Sequence, residues 1–316
     1  MIQQTAGIHH ISAFASNAQE TVDFYAGVLG LRLVKKTVNF DAPEVYHLYF
    51  GNEAGSPGTA MTFFPFERGK KGRIGGGQVA YTSFVVPEDA LSFWEDRLRK
   101  FALSYERMKR FGETYIRFQD RDGLQLELVA RQEGPKSKWS FGGVPADKAI
   151  KGFGGAVLYS TAAQSTMHTL QHVMGLERVG EEQGLVRFKA TGELGNIIDV
   201  EAEDMAMGQG GSGTVHHIAW RAKDDQEQEN WQQHVANHGF MPTSIIDRQY
   251  FKAIYFREAG KILFEIATDP PGFTRDESFA TLGEKLMLPA WYESQRELIE
   301  RGLPPLKVRI LEEDLG

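Results

Sequence analysis

The chain has 316 residues, 41% hydrophobic and 24% charged, with a net charge of −7 and no cysteine. That length accommodates two ordinary domains. The acidic balance excludes a general affinity for nucleic acid or an anionic membrane surface. The missing thiols exclude a disulfide framework, a thiolate metal site and a cysteine nucleophile. No uncharged apolar stretch is long enough for a transmembrane helix, and MIQQTAGIHH lacks the basic segment and apolar run of a secretory signal. The expectation is a soluble cytoplasmic protein.

Four stretches share one grammar: a short strand, an amphipathic helix, then further strands. The first opens with Gly7-Ile8-His9-His10-Ile11-Ser12. Its helix is expected over Ala18 to Val28, after the capping-type residues Ser16 and Asn17 and before Gly30. The second opens with Val79-Ala80-Tyr81-Thr82-Ser83-Phe84, and its helix is expected over Glu88 to Phe101. A polar, turn-rich segment, 131–152, then reads as a linker. The third opens with Gly152-Phe153-Gly154-Gly155-Ala156-Val157, with a helix over Ala162 to Val173 ended by Gly175. The fourth opens with Val215-His216-His217-Ile218-Ala219-Trp220, with a helix over Gln226 to Asn237 and the strand Lys261-Ile262-Leu263-Phe264-Glu265-Ile266. A tail follows from Pro270, with a helix expected over Ala290 to Arg301.

The repeat is too long and too few for a solenoid. It predicts an α+β chain of four βαβββ units at 1–70, 77–131, 152–204 and 213–269, pairing into two open β-barrels, with a tail over 270–316.

Two openings carry a histidine pair, His9-His10 and His216-His217. A single such pair at a strand start is ordinarily a turn or core feature. Two at equivalent repeat positions point to imidazole ligands meeting at one ion. Glu265 alternates with apolar neighbours in its strand, and strand period puts it on one face with Leu263. A carboxylate on an apolar inner face is costly unless it is paired or bound to a metal. Two histidines and one carboxylate make the facial triad of non-haem iron oxygenases, which leaves open positions on the ion. In unit two Glu127 matches Glu265, but Tyr81 stands in the histidine position. In unit three Gly155 replaces the histidine, and in unit one Phe63 lies near the expected carboxylate position. The complete set therefore draws on units one and four. Those two units must share a barrel, leaving units two and three to form a metal-free one.

The four units and the histidine openings resemble the vicinal oxygen chelate superfamily of glyoxalases, bleomycin resistance proteins and extradiol dioxygenases, over about residues 7 to 302. Thr37-Val38-Asn39-Phe40-Asp41, Tyr46-His47-Leu48-Tyr49, Pro57-Gly58-Thr59 and Thr62-Phe63-Phe64-Pro65 are most similar to its bacterial hydroquinone-cleaving branch. The resemblance implies that the second histidine of each pair is the ligand, giving His10, His217 and Glu265. It also implies roles around the ion for His9, Ser12, His216, Arg248 and Tyr255; the last two lie 17 and 10 residues before Glu265, as in that branch. Arg248 suits an oxyanion and Tyr255 proton transfer. Fe(II) is the implied ion. Mn(II) suits the same ligands, and Zn, Ni or Co are ions a purified sample can pick up. The implied partners are a small aromatic diphenol and dioxygen, with Phe40, Phe63 and Phe64 as candidate aromatic walls; neither nucleic acid nor membrane is expected, and a homo-oligomer is compatible. The competing activities are a glyoxalase-type isomerase, a thiol transferase and a non-catalytic binder of aromatic compounds. The glyoxalase chemistry calls for a second carboxylate in unit one, and the transferases are two-unit chains.

Overall fold

The computed structural model describes residues 3–315. Unit one comprises β1 (Ile8–Ala15), α1 (Ala18–Val22), β2 (Arg32–Asn39), β3 (Ala42–Gly51) and β4 (Ala60–Pro65). Unit two comprises β5 (Gln78–Val86), α2 (Leu91–Lys100), β6 (Glu106–Arg110), β7 (Glu113–Gln119) and β8 (Gln125–Ala130). Unit three comprises β9 (Gly152–Tyr159), α3 (Ala163–His168), β10 (Glu177–Glu182), β11 (Leu185–Lys189) and β12 (Ile197–Glu201). Unit four comprises β13 (Thr214–Ala222), α4 (Asp225–Asn237), β14 (Ile246–Asp247), β15 (Lys252–Arg257) and β16 (Leu263–Thr268).

Two of the helices, α1 and α4, begin where a side chain caps them. Asn17 accepts from the Glu20 N–H at 2.9 Å, and Asp224 accepts from the Glu227 N–H at 2.8 Å. The expected helices of units one and three each split in two. α1 passes into a π-helical turn, Asp23–Val28, and α3 into another, Thr169–Val173. Both end two residues before a left-handed glycine, Gly30 at φ +67° and Gly175 at φ +74°.

Units one and four form one eight-stranded sheet, in the order β14-β15-β16-β13-β1-β4-β3-β2. Units two and three form the other, β10-β11-β12-β9-β5-β8-β7-β6. Each sheet is built around an antiparallel pair of opening strands, β1 with β13 and β5 with β9. Each opening strand also pairs in parallel with the last strand of its own unit. The chain's first and last units thus meet strand to strand.

Segment 131–152 is more than a solvated linker: Val144, Ala149, Ile150 and Lys151 are buried. The Lys151 ammonium donates to the Gln132 carbonyl at 3.0 Å, which satisfies the buried cation. The tail carries a shorter helix than expected, α5 (Arg296–Gly302), preceded by a 3₁₀ turn at Glu293–Gln295. Residues before it are used as a strap: Lys35, fully buried, pairs with Asp276 at 2.6 Å and Glu277 at 2.5 Å. Among the described residues no helix is long and apolar enough to cross a membrane.

Candidate metal centre and its cavity

His10 sits on β1, His217 on β13 and Glu265 on β16. Register brings them together. His10 lies opposite Ala219 across the antiparallel β1/β13 pair, and Glu265 lies opposite Ala219 across the parallel β13/β16 pair. His217 precedes Ala219 by two residues, so strand period places it on the same face. All three side chains are buried. The His10 and His217 Nε2 atoms are 3.2 Å apart, and the Glu265 Oε2 lies 3.3 Å from the first and 2.8 Å from the second.

This triangle fits an ion. Ligands about 2.1 Å from a metal and at right angles lie about 3.0 Å from each other, the face of an octahedron. Glu265 is fully buried, and neither of its oxygens accepts a well-formed hydrogen bond from the protein. Uncompensated burial of that kind is expensive unless a cation is bound. The two imidazoles turn their Nε2 atoms toward the same point. Burial opposes ionisation of Glu265, yet His10 and His217 beside it hold its carboxyl well below the usual carboxylate range. Burial likewise lowers His217, against the pull of Glu265, and favours the neutral imidazole that a metal requires.

Each of these two histidines meets the histidine that precedes it. His9 Nδ1 is 2.9 Å from His10 Nδ1, and His216 Nδ1 is 2.8 Å from His217 Nδ1. If each ligand offers Nε2 to an ion, its Nδ1 carries the proton and donates it to the neighbour. His9 and His216 are then acceptors at Nδ1 and protonated at Nε2. His9 is buried against Phe251, with ring centroids 5.4 Å apart, and its Nε2 has no partner. The His216 ring instead lines the cavity above the triad.

That cavity has a volume of about 280 Å³. Phe14, Phe40, Phe64 and Phe251 give it aromatic walls, and Arg248 and Tyr255 reach into it. Tyr255 lies opposite Glu265 across β15/β16. Arg248 stands on the preceding turn, where Gln249 adopts φ +69°, and its Nε donates to the Tyr255 hydroxyl at 3.1 Å. Burial, reinforced by the charge of Glu265, pushes the Tyr255 phenol well above its ordinary value, so it is a proton donor at neutral pH.

Four positions bear on the sequence expectation: Phe63, Ser12, His47 and Tyr49. Phe63 faces away from the cavity and packs on Tyr25, with centroids 4.3 Å apart. The position equivalent to Glu265 in unit one is Thr62, opposite Ser12 on the parallel neighbour; Phe63 is one residue off, which in a strand means the other face. Ser12 does not line the cavity. Its hydroxyl meets that of Thr62 at 2.7 Å, Thr62 meets His47 Nε2 at 2.9 Å, and His47 Nδ1 meets the Tyr49 hydroxyl at 2.9 Å. His47 and Tyr49 both line the cavity and received no role from the sequence. Their signal was the period-two pairing of polar rings in Tyr46-His47-Leu48-Tyr49.

Known proteins agree with this architecture. The family model for the Glyoxalase/Bleomycin resistance protein/Dioxygenase superfamily matches residues 7–128 and 152–274. The chain belongs to that superfamily. "Putative ring-cleaving dioxygenase MhqO" of Bacillus subtilis (strain 168) is 57% identical over 312 residues, 99% of this chain and 100% of that protein. The chlorohydroquinone/hydroquinone 1,2-dioxygenase of Sphingobium indicum is 33% identical over 313 residues, 95% of this chain and 97% of that enzyme. A crystal structure described as a putative dioxygenase from Bacillus subtilis subsp. subtilis str. 168 superposes with a TM-score of 0.97 at 57% identity, covering 98% of this chain and 100% of that one.

In this superfamily member the second barrel compensates its buried carboxylate with protein side chains. Glu127 lies opposite Ser83 on β5/β8, and Gly155 lies opposite Ser83 on β5/β9. They occupy the places of Glu265 and His10. Arg110 donates to both oxygens of Glu127 at 2.7 Å, Arg117 donates at 2.8 Å and Ser83 at 2.6 Å. Arg110 and Arg117 precede Glu127 by 17 and 10 residues, the offsets of Arg248 and Tyr255 from Glu265. A guanidinium that in unit four lines a cavity is here turned inward and satisfies the carboxylate itself.

Proposed function

We propose that this protein is an Fe(II)-dependent dioxygenase that cleaves the ring of a hydroquinone- or catechol-type diphenol. The observation that carries the reading is the buried triangle of His10, His217 and Glu265 at the floor of an aromatic-walled cavity. The Sphingobium indicum enzyme named for this chemistry aligns over nearly the whole chain. A ferrous ion held by these three ligands would supply redox coupling between an electron-rich ring and dioxygen, with vacant positions for both.

The remaining steps belong to the protein. The phenylalanine walls bind and orient an aromatic ring and keep water out. The His216 Nε2–H points a donor at a ring oxygen. Arg248 stabilises the charge of an ionised hydroxyl and holds the Tyr255 phenol. Tyr255 keeps its proton at neutral pH and gives it to oxygen as charge develops there. Thr62 cannot supply the second carboxylate that a glyoxalase-type isomerase calls for, which favours the dioxygenase. A chain without cysteine and with a ferrous cofactor suits the reducing cytoplasm, where such an enzyme would remove toxic diphenols.

The test is oxygen consumption by anaerobically Fe(II)-loaded protein with methylhydroquinone and with catechol. One dioxygen consumed per ring opened is expected. No uptake with either diphenol overturns the proposal.

A further inference from the structure

The mouth of the cavity is flanked by the turn between β2 and β3. Asn39, Phe40 and Asp41 line it. The tail braces this turn: the Phe40 carbonyl accepts from the Tyr292 hydroxyl at 2.9 Å, and the Phe40 ring lies edge-on to Trp291 with centroids 5.6 Å apart. Asp41 then reaches across the mouth. Its Oδ2 accepts from Arg248 Nη1 at 3.1 Å, joining unit one to unit four. The Arg248 side chain is 21% exposed and fixed by Tyr255, whereas that of Asp41 is 74% exposed. The arginine is therefore the more buried partner and the aspartate the solvent-facing one.

Charge decides what this pair can do. Among the described residues lining the cavity, Arg248 is cationic and Asp41 and Glu265 are anionic. A divalent ion on the triad leaves the cavity one positive charge in excess. One ionised ring hydroxyl neutralises that charge. A second negative charge on the ring finds no free cation, because the guanidinium already faces Asp41, and a like charge beside Asp41 is disfavoured.

We propose that Asp41 is a specificity-determining residue: by pairing with Arg248 across the mouth it excludes diphenols with an anionic ring substituent and reserves the cavity for neutral ones. The proposal rests on the diphenol reading of this site. It concerns selectivity between substrates, so its readout is a ratio.

The probes are methylhydroquinone and hydroquinone sulfonate, whose sulfonate is permanently charged and a poor metal ligand. Selectivity is measured twice: as kcat/KM from oxygen uptake with Fe(II)-loaded protein, and as Kd by anaerobic calorimetry. In Asp41→Asn the ratio should shift toward the sulfonate by on the order of tenfold, the effect of one nearby charge on an ionic equilibrium. The shift should lie in KM and Kd rather than kcat, and Asp41→Glu should restore the original ratio. An unchanged ratio in Asp41→Asn overturns the proposal; Asp41→Ser takes its place if Asp41→Asn does not fold. If neither probe drives oxygen uptake, the dioxygenase reading fails, and the Kd ratios still decide the role of Asp41. Absence of binding by both probes overturns both.

Discussion

His10 and Glu265 stand in one cross-strand row with only Ala219 between them. The space over that alanine is where their ligand atoms approach to 3.3 Å. A side chain no larger than a methyl group is therefore a condition of the site. Ala219→Leu should place a branched side chain into the ion's position. Bound iron after anaerobic loading and dialysis should fall from about one per chain to below about a tenth, at an overpacking cost of about 1–3 kcal/mol. Ala219→Gly should keep the metal. Wild-type iron content in Ala219→Leu would show that the ion does not sit above this row.

The Arg248–Tyr255 hydrogen bond separates two roles that one activity assay would blur. Arg248→Lys retains a charge but loses the planar fork that holds Tyr255 and Asp41 together. Its kcat/KM should drop by on the order of a hundredfold with iron content unchanged. Tyr255→Phe should lower kcat by on the order of a hundredfold. Burial and Glu265 raise the Tyr255 phenol well above its ordinary value, so the wild-type rate should show no loss of this acid through neutral and mildly alkaline pH. A kcat that is insensitive to Tyr255→Phe would remove the residue from proton transfer.

His47 makes a stability prediction with a definite sign. Burial holds its folded-state pKa well below the ordinary histidine value. Below that ordinary value, about 6.5, the unfolded chain gains a proton that the folded chain refuses. Stability is therefore full at neutral pH and falls with acidification through that window. His47→Gln in chelated protein should flatten the acid limb by about one proton, about 1.4 kcal/mol per pH unit. Urea midpoints between pH 7 and pH 4.5 measure it. An identical slope in both proteins would show that another group carries the effect.

How much of this was legible beforehand follows from the physics of strands. The four openings, the pairing of units one and four, and the convergence of residues far apart in the chain could be read because hydrophobic alternation and repeat position survive in one dimension. Register does not. The offset between Thr62 and Phe63 is one residue, and only the β1/β4 pairing shows which one faces the ion site. The roles of His47 and Asp41 depend on partners in other strands and another unit. The π-helical turns after α1 and α3 carry the same apolar periodicity as the α-helices they replace, so no sequence pattern distinguished them. Glu127 looked like a second Glu265 because its strand is the same; what differs is that Arg110 meets it.

That difference predicts opposite consequences in the two barrels. In the barrel proposed to bear the metal, removing His10, His217 or Glu265 should cost the ion. In the other, Arg110 is nearly fully buried between Glu127 and Asp199 and supplies a covalently tethered cation. Burial opposes the charge of Glu127, and Arg110 holds its carboxyl below the ordinary value in spite of it. Arg110→Met should leave Glu127 with Arg117 and Asp199 with Arg187, one partner short on each side. A loss of about 3 kcal/mol in unfolding free energy is expected, read from denaturant midpoints. Iron should stay at about one per chain throughout, since the triad draws no residue from units two and three. A cost below about 1 kcal/mol for Arg110→Met would show that its neighbours already neutralise Glu127 without it.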